Sequence, residues 1–204
     1  MENRKAEIMS SVKDGVILFA ITLIAGLLLG FFYQITKDPI AKQQELAVQK
    51  ACAEVFADAS FEAITYAPST ELQEVFASEG VEIGTVFEAL DAQGEVVGYV
   101  VETTSGNGYG GDIVLYVGIT KEMNVSGVSI LSIAETPGLG MKAEDVLIPQ
   151  FKDKAATTFT YSKTGAVASS EIDAISGATI TTKAVVQAVN GAVAVADELL
   201  EGGN

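Results

Sequence analysis

The sequence of 204 residues contains no histidine, no tryptophan and a single cysteine. Without histidine there is no Ser-His-Asp or Cys-His catalytic arrangement and no imidazole ligand for haem or zinc. Cys52 alone makes neither an internal disulfide, nor a four-cysteine zinc site, nor a self-contained iron–sulfur cluster. Charge is also scarce, at 19% Asp, Glu, Lys and Arg, and lopsided, with 12 basic residues against 27 acidic ones and a net charge of −15. So acidic a chain repels phosphate backbones, which argues against nucleic acid as a partner. Chemistry is left to carboxylates and hydroxyls, or to a cofactor brought in from outside.

What the chain does have is apolar length. Its mean hydropathy of +0.34 is high for a wholly soluble protein. From Gly15 to Thr36 it reads GVILFAITLIAGLLLGFFYQIT, 22 residues without a formal charge. A helix of that length rises about 33 Å, enough for a hydrocarbon core of about 30 Å. Phe31, Phe32 and Tyr33 close the run, where aromatic rings favour the membrane interface. The run exceeds a signal-peptide core and no small-x-small cleavage site follows it, so a retained transmembrane helix is expected. Gly26 and Gly30 have the GxxxG spacing that lets a second helix approach, although glycine is common in membrane helices generally. Arg4, Lys5 and Lys13 precede the span while Lys37, Lys42 and Lys50 follow it, so side-chain charge alone is balanced. The terminal amine tips the expectation towards a cytoplasmic N-terminus and an extracytoplasmic body.

Four regions are expected: an N-terminal cytoplasmic segment 1–14, a transmembrane helix 15–36, a juxtamembrane helical region 37–80 and a folded domain 81–204. Asp38-Pro39 predicts a break or kink in the helix, because proline removes a donor and disfavours helix in its predecessor. Apolar positions between Ile40 and Phe56 recur every three or four residues, as in an amphipathic helix, with Cys52 a small packing residue within it. Strands are predicted over 85–90 and 95–103 around the turn at Asp91–Gly94, then over 113–119 and 125–133, with a strand-like stretch at 157–161. A final helix is predicted over 180–200, with Ala184, Ala188, Ala192 and Ala196 forming one narrow stripe suited to close packing on a sheet. The fold class is α+β, a mostly antiparallel sheet flanked by helices.

Three stretches invite a ligand. Ser105–Gly111 holds four glycines in seven residues between two strands, which suits either a tight hairpin loop or a close approach to a flat ligand. It is neither a Walker loop nor a dinucleotide fingerprint. Glu135-Thr-Pro-Gly-Leu-Gly140 places Pro137-Gly138 in a sharp turn, with Leu139 and Met141 available as an apolar edge to a planar ring. Asp173-Ala-Ile-Ser-Gly-Ala-Thr-Ile-Thr181 leads into the last helix. Free N–H groups and the helix dipole there form an anion site, whereas capping by Thr179 or Thr181 would explain one hydroxyl and about 1 kcal/mol. No metal-ligand set stands out.

In combination these residues resemble a family. DAISGATIT at 173–181 is similar to the signature at which a flavin transferase links FMN to a threonine hydroxyl through a phosphodiester. ETPGLG at 135–140 and GYGGDI at 108–113 resemble the accompanying motifs of the FMN-binding domain in the RnfG family of Rnf complexes, shared with the NqrC component of sodium-pumping NADH:quinone reductases. VKDG before the span and ITKDPIA after it also resemble RnfG, and the short chain favours it. The resemblance implies an FMN-binding domain over 81–204 with covalent FMN on Thr179. Implied contacts are Ser176, Gly177, Ala178 and Thr181 beside it, Glu135, Thr136, Gly138, Leu139 and Gly140 from the second stretch, and Tyr109 and Gly110 from the first. Asp173 would assist attachment, or serve only as a turn residue. The implied role is a redox subunit, not catalytic alone, of an ion-translocating ferredoxin:NAD⁺ oxidoreductase in a prokaryotic cell membrane. Its partners would be the other membrane subunits of the complex and, during maturation, the flavin transferase. Alternatives are a membrane-tethered binding or assembly module without redox activity, the NqrC component of a quinone reductase, and a hydrolase using Glu135 and Asp173.

Overall fold

The computed structural model describes residues 2–202. The chain divides into two compact units, one ending at Leu46 and one beginning at Ala47. The first consists of helix α1 (Glu2–Val55), which continues into the second. α1 is long and apolar enough to cross a membrane. Large apolar side chains of its first unit, including Val16, Phe19, Leu27, Phe31 and Ile35, are exposed. The hydroxyls of Thr22 and Thr36 donate to the Leu18 and Phe32 carbonyls at 3.1 and 2.9 Å. Both threonine hydroxyls in this stretch are thus satisfied within the helix. The break expected at Asp38-Pro39 does not occur, since α1 runs through Pro39. Proline deletes one hydrogen bond, but no glycine or capping turn follows to end the helix.

The second unit is built on a five-stranded antiparallel sheet in the order β1-β2-β3-β4-β5. Its strands are β1 (Ser60–Ile64), β2 (Val81–Leu90), β3 (Val96–Ser105), β4 (Ile113–Thr120) and β5 (Val125–Ser132). The β2–β3 turn is closed by Gly94 N–H on the Asp91 carbonyl at 3.0 Å, and the Asp91 carboxylate accepts from Gln93 and Glu95. The stretch expected to be juxtamembrane and helical also supplies β1, paired to β2, and helix α2 (Thr70–Glu79), started by Ser69 and ended by Gly80 at φ +63°. Beyond the sheet come the one-turn α3 (Ala143–Val146), the parallel pair β6 (Thr160–Ser162) and β7 (Glu171–Asp173), and α4 (Thr179–Gly202).

Both faces of the sheet are covered, which explains why β4 reads IVLYVGIT with little polar alternation. Val101, Leu115 and Val117 face α4, whose alanines 184, 188, 192 and 196 are fully buried. Val100 and Tyr116 face the last turns of α1, against Ala51, Cys52 and Val55. Each fully buried Val or Leu contributes about 1.5–3 kcal/mol, so the two apolar faces hold the layers together. On the α1 side Gly98, Gly118 and Gly127 leave a groove. A Cβ on Gly118 would sit 3.0 Å from Val55 Cβ, and one on Gly127 would sit 3.0 Å from Val55 Cα. The end of α1 is tied down there by Ser126 and Ser129, whose hydroxyls bond the Val55 carbonyl and the Glu54 carboxylate. Burial, then the nearby Glu102 charge, pushes the Cys52 thiol up to about 11. Cys52 is therefore a packing residue, not a reactive one.

Candidate functional site

The segment entering α4 is a turn followed by a helix start. Ala178 N–H bonds the Ile175 carbonyl at 3.0 Å, with Gly177 at φ +80° in the third position, the left-handed conformation of a type II turn. Thr182 N–H then bonds the Ala178 carbonyl at 3.0 Å, which opens α4 with Thr179 as its first residue. Ala178 therefore occupies the capping position, and neither Thr179 nor Thr181 caps the helix. The Thr182 hydroxyl does a different job: it accepts from Ile175 N–H at 3.1 Å and donates to the Ala178 carbonyl at 2.9 Å, fastening the turn to the helix. With alanine at the cap, the backbone N–H groups of Thr179, Ile180 and Thr181 have no hydrogen-bond acceptor among the described residues. Three free donors at the positive end of a 24-residue helix form an anion cradle.

The second stretch folds as its Pro-Gly predicts. Leu139 N–H bonds the Thr136 carbonyl at 3.1 Å, with Pro137 and Gly138 (φ +79°) at the corners. Leu139 and Met141 stay about two-fifths exposed (41% and 42%), as an apolar edge should. Glu135, by contrast, is 6% exposed. Its Oε1 accepts the backbone N–H of Tyr109 at 2.7 Å and of Gly110 at 3.3 Å, so this side chain clamps the glycine loop of the first stretch. Asn107 of the same loop donates to Gln187 of α4 at 3.1 Å. All three stretches are thereby drawn together at the entrance of α4.

Between them lies a cleft of about 510 Å³, walled by Tyr109, Glu135, Thr136, Leu139 and Gly140 on one side and by residues 177–181 on the other. Ile180, 52% exposed, is the wall residue that the sequence motifs did not single out; an apolar side chain at the second position of a helix carries no local signal. Three expected contacts lie just outside the walls: Ser176 is exposed at its turn, Gly138 shapes the other turn and Gly110 is held by Glu135. Asp173 points elsewhere. Its carboxylate accepts from Ala166 N–H, and its backbone is paired on both sides with the Gln150 amide at 2.7 and 3.1 Å. It is the last residue of β7, where it anchors the motif, and it does not line the cleft that Glu135 lines.

The cleft fits a flavin mononucleotide. Its volume falls within the range of about 300–1,000 Å³ usual for small-molecule sites. Donors at the α4 start match a phosphoryl group, the half-buried Thr179 hydroxyl stands among them, and Leu139, Ile180 and the Tyr109 ring offer apolar surface to a planar ring. Gly140 must be bare, because a Cβ there would lie 2.6 Å from Thr181 Oγ1 and 2.7 Å from Glu135 Cβ.

Comparison with known proteins points the same way. Residues 108–194 match the FMN-binding domain, and residues 1–55 match the RnfG N-terminal region. The chain is 34% identical over 195 residues to the RnfG-type component of the Na⁺-translocating ferredoxin:NAD⁺ oxidoreductase complex of Acetobacterium woodii, covering 92% of each chain. It is 33% identical over 193 residues to the proton-translocating counterpart of Clostridium ljungdahlii, covering 91% of this chain and 95% of that one. Its fold is similar to the crystal structure of NqrC from Shewanella oneidensis, with a TM-score of 0.54 at 19% identity over 79% of this chain and 98% of that one.

Proposed function

Because the chain belongs to the RnfG family and carries its FMN-binding domain, we propose that it is the membrane-anchored electron-transfer subunit of an ion-translocating ferredoxin:NAD⁺ oxidoreductase, with FMN esterified to Thr179. The observation that carries the reading is the placement of a threonine hydroxyl at the first position of α4, in a cleft, beside three unpaired backbone donors. When bound, FMN supplies the redox chemistry that a chain with one buried cysteine and no histidine lacks.

Each part of the site then has a task. The N–H groups of Thr179, Ile180 and Thr181 hold the phosphodiester, whose single negative charge gains about 0.3–1 kcal/mol or more from the helix end. In attachment, Thr179 Oγ1 forms the new P–O bond while an anhydride P–O bond of an activated FMN donor breaks. Its nucleotide departs and the hydroxyl proton passes to solvent, with a flavin transferase assembling the reactants. Leu139, Ile180 and Tyr109 would offer apolar surface to the ring. Asp173 and Gln150 fix the loop that presents Thr179.

Residues 15–36 serve as the transmembrane helix, with the N-terminus cytoplasmic and the flavin domain extracytoplasmic, among the other membrane subunits of the complex. A covalent tether suits that side, where a lost flavin is not readily replaced. The decisive experiment is in-gel flavin fluorescence on denatured full-length protein from a host with the transferase. Wild type is expected to fluoresce and to show one FMN on the peptide containing Thr179, and Thr179→Ala to be dark. A dark wild-type band defeats the proposal.

A further inference from the structure

Glu135 is the only charged side chain on the cleft wall among the described residues. Its clamp on the Tyr109–Gly110 loop uses one oxygen only, Oε1. The other, Oε2, accepts no protein hydrogen bond among the described residues; the residue is 6% exposed, and Oε2 is not sealed off within the protein. A clamp needs an acceptor oxygen and nothing more; a neutral amide would serve, without the desolvation cost that a carboxylate carries. Gly140 closes one side of the group, since a Cβ there would lie 2.8 Å from Oε2, and what remains open is the cleft. The charge is thus surplus to the loop's architecture and sits on the wall of the cleft.

We propose that Glu135 is a redox-tuning residue: a carboxylate on the cleft wall that lowers the reduction potential of the flavin the cleft would hold. This rests on the FMN reading above. Adding an electron to the ring adds negative charge, which an adjacent carboxylate opposes in a low-dielectric site. The flavin then becomes a stronger reductant towards the next carrier. Were a flavin ring to sit about 10 Å from that charge, at an effective dielectric constant near 20, its one-electron equilibrium would change on the order of tenfold, or about 59 mV.

The test is Glu135→Gln in the full-length flavinylated protein, by equilibrium redox titration with mediators. Glutamine keeps an oxygen for the Tyr109 and Gly110 amides and replaces the free acceptor with an uncharged donor. The expected result, read on the flavin-bearing protein, is a positive shift of about tenfold in the reduction equilibrium, about 59 mV for one electron. Glu135→Asp keeps the charge but withdraws it by one methylene, and is expected to shift the potential in the same direction by less. Hydrogen exchange at the Tyr109 and Gly110 amides, measured on Thr179→Ala with and without Glu135→Gln, reports the clamp without flavin and is expected to stay protected. Flavin-bearing variants with the wild-type potential overturn the inference. A wild-type band without flavin overturns the earlier reading instead, so the two failures are distinguishable.

Discussion

The packing at Gly140 allows a prediction with a worked magnitude. In Gly140→Ala the new methyl would sit 2.6 Å from Thr181 Oγ1, 2.7 Å from Glu135 Cβ and 2.8 Å from Glu135 Oε2. All three are closer than real Cβ contacts, and neither neighbour can swing away: Thr181 is 1% exposed and Glu135 6%. Relief requires the 135–140 turn and the first turn of α4 to part by a few tenths of an ångström. Overpacking of this kind costs about 1–3 kcal/mol, and here it falls on the wall of the cleft. Urea unfolding of the full chain in detergent reads the cost through tyrosine fluorescence, undisturbed because there are six tyrosines and no tryptophan. In-gel flavin fluorescence reads the consequence, a several-fold fall in attached FMN. The control is Gly165→Ala, at φ +108° with nothing within 4 Å and outside the cleft wall. It should cost about 1–3 kcal/mol of backbone strain and leave flavin attachment alone. Should Gly140→Ala unfold within ~0.5 kcal/mol of wild type and carry a full complement of flavin, the cleft is not the rigid, closely fitted site described.

Two further outcomes test the body of the domain. Phe151 is fully buried and meets Phe159 edge to face, with ring centroids 5.2 Å apart. Phe151→Ala is expected to cost about 3–5 kcal/mol in the same urea assay, and a loss below ~1.5 kcal/mol would mean the core closes over the gap. The Tyr66 phenol donates to Glu198, which also accepts from Ser69 N–H at 3.1 Å. The phenol bond, followed by Ser69, holds the Glu198 carboxyl below its ordinary range. Its contribution is therefore present at neutral pH and lost as pH falls through the folded-state value. Burial first, then Glu198, raises the Tyr66 phenol, whose contribution is present below the ordinary tyrosine value and lost as pH rises through the raised one. In Tyr66→Phe the Glu198 titration followed by NMR should move upward and the acid limb of Tm against pH should flatten. An unmoved Glu198 midpoint contradicts the assignment.

Much of the site was legible because its pieces are local. Pro137-Gly138 specifies a turn whatever surrounds it, Ser176-Gly177 likewise, and the alanine stripe of α4 announces a helix that packs closely. The strands with strong β-branched content, β2 to β5, were visible to within a few residues. Less visible were β1, with SFEAI carrying no clean alternation, and the three-residue strands β6 and β7, which exist because each has a neighbour to pair with. Pro39 misled in the other direction: proline disfavours helix locally, but one missing bond did not end α1.

By itself the sequence determined the kinds of chemistry open to this protein and the segments that would carry them. Composition removed histidine and thiol mechanisms, 22 uncharged residues made a membrane-length helix, and three short motifs marked the ligand-facing turns. Each of these depends on residues within a few positions of one another. Only the tertiary structure decided that alanine, not threonine, caps α4 and leaves its donors free. It alone placed Glu135 across from Tyr109, 26 residues earlier, with one oxygen bound to that loop and the residue on the wall of the cleft. Such contacts arise when a folded sheet brings distant loops to one edge, and no spacing within the chain encodes them.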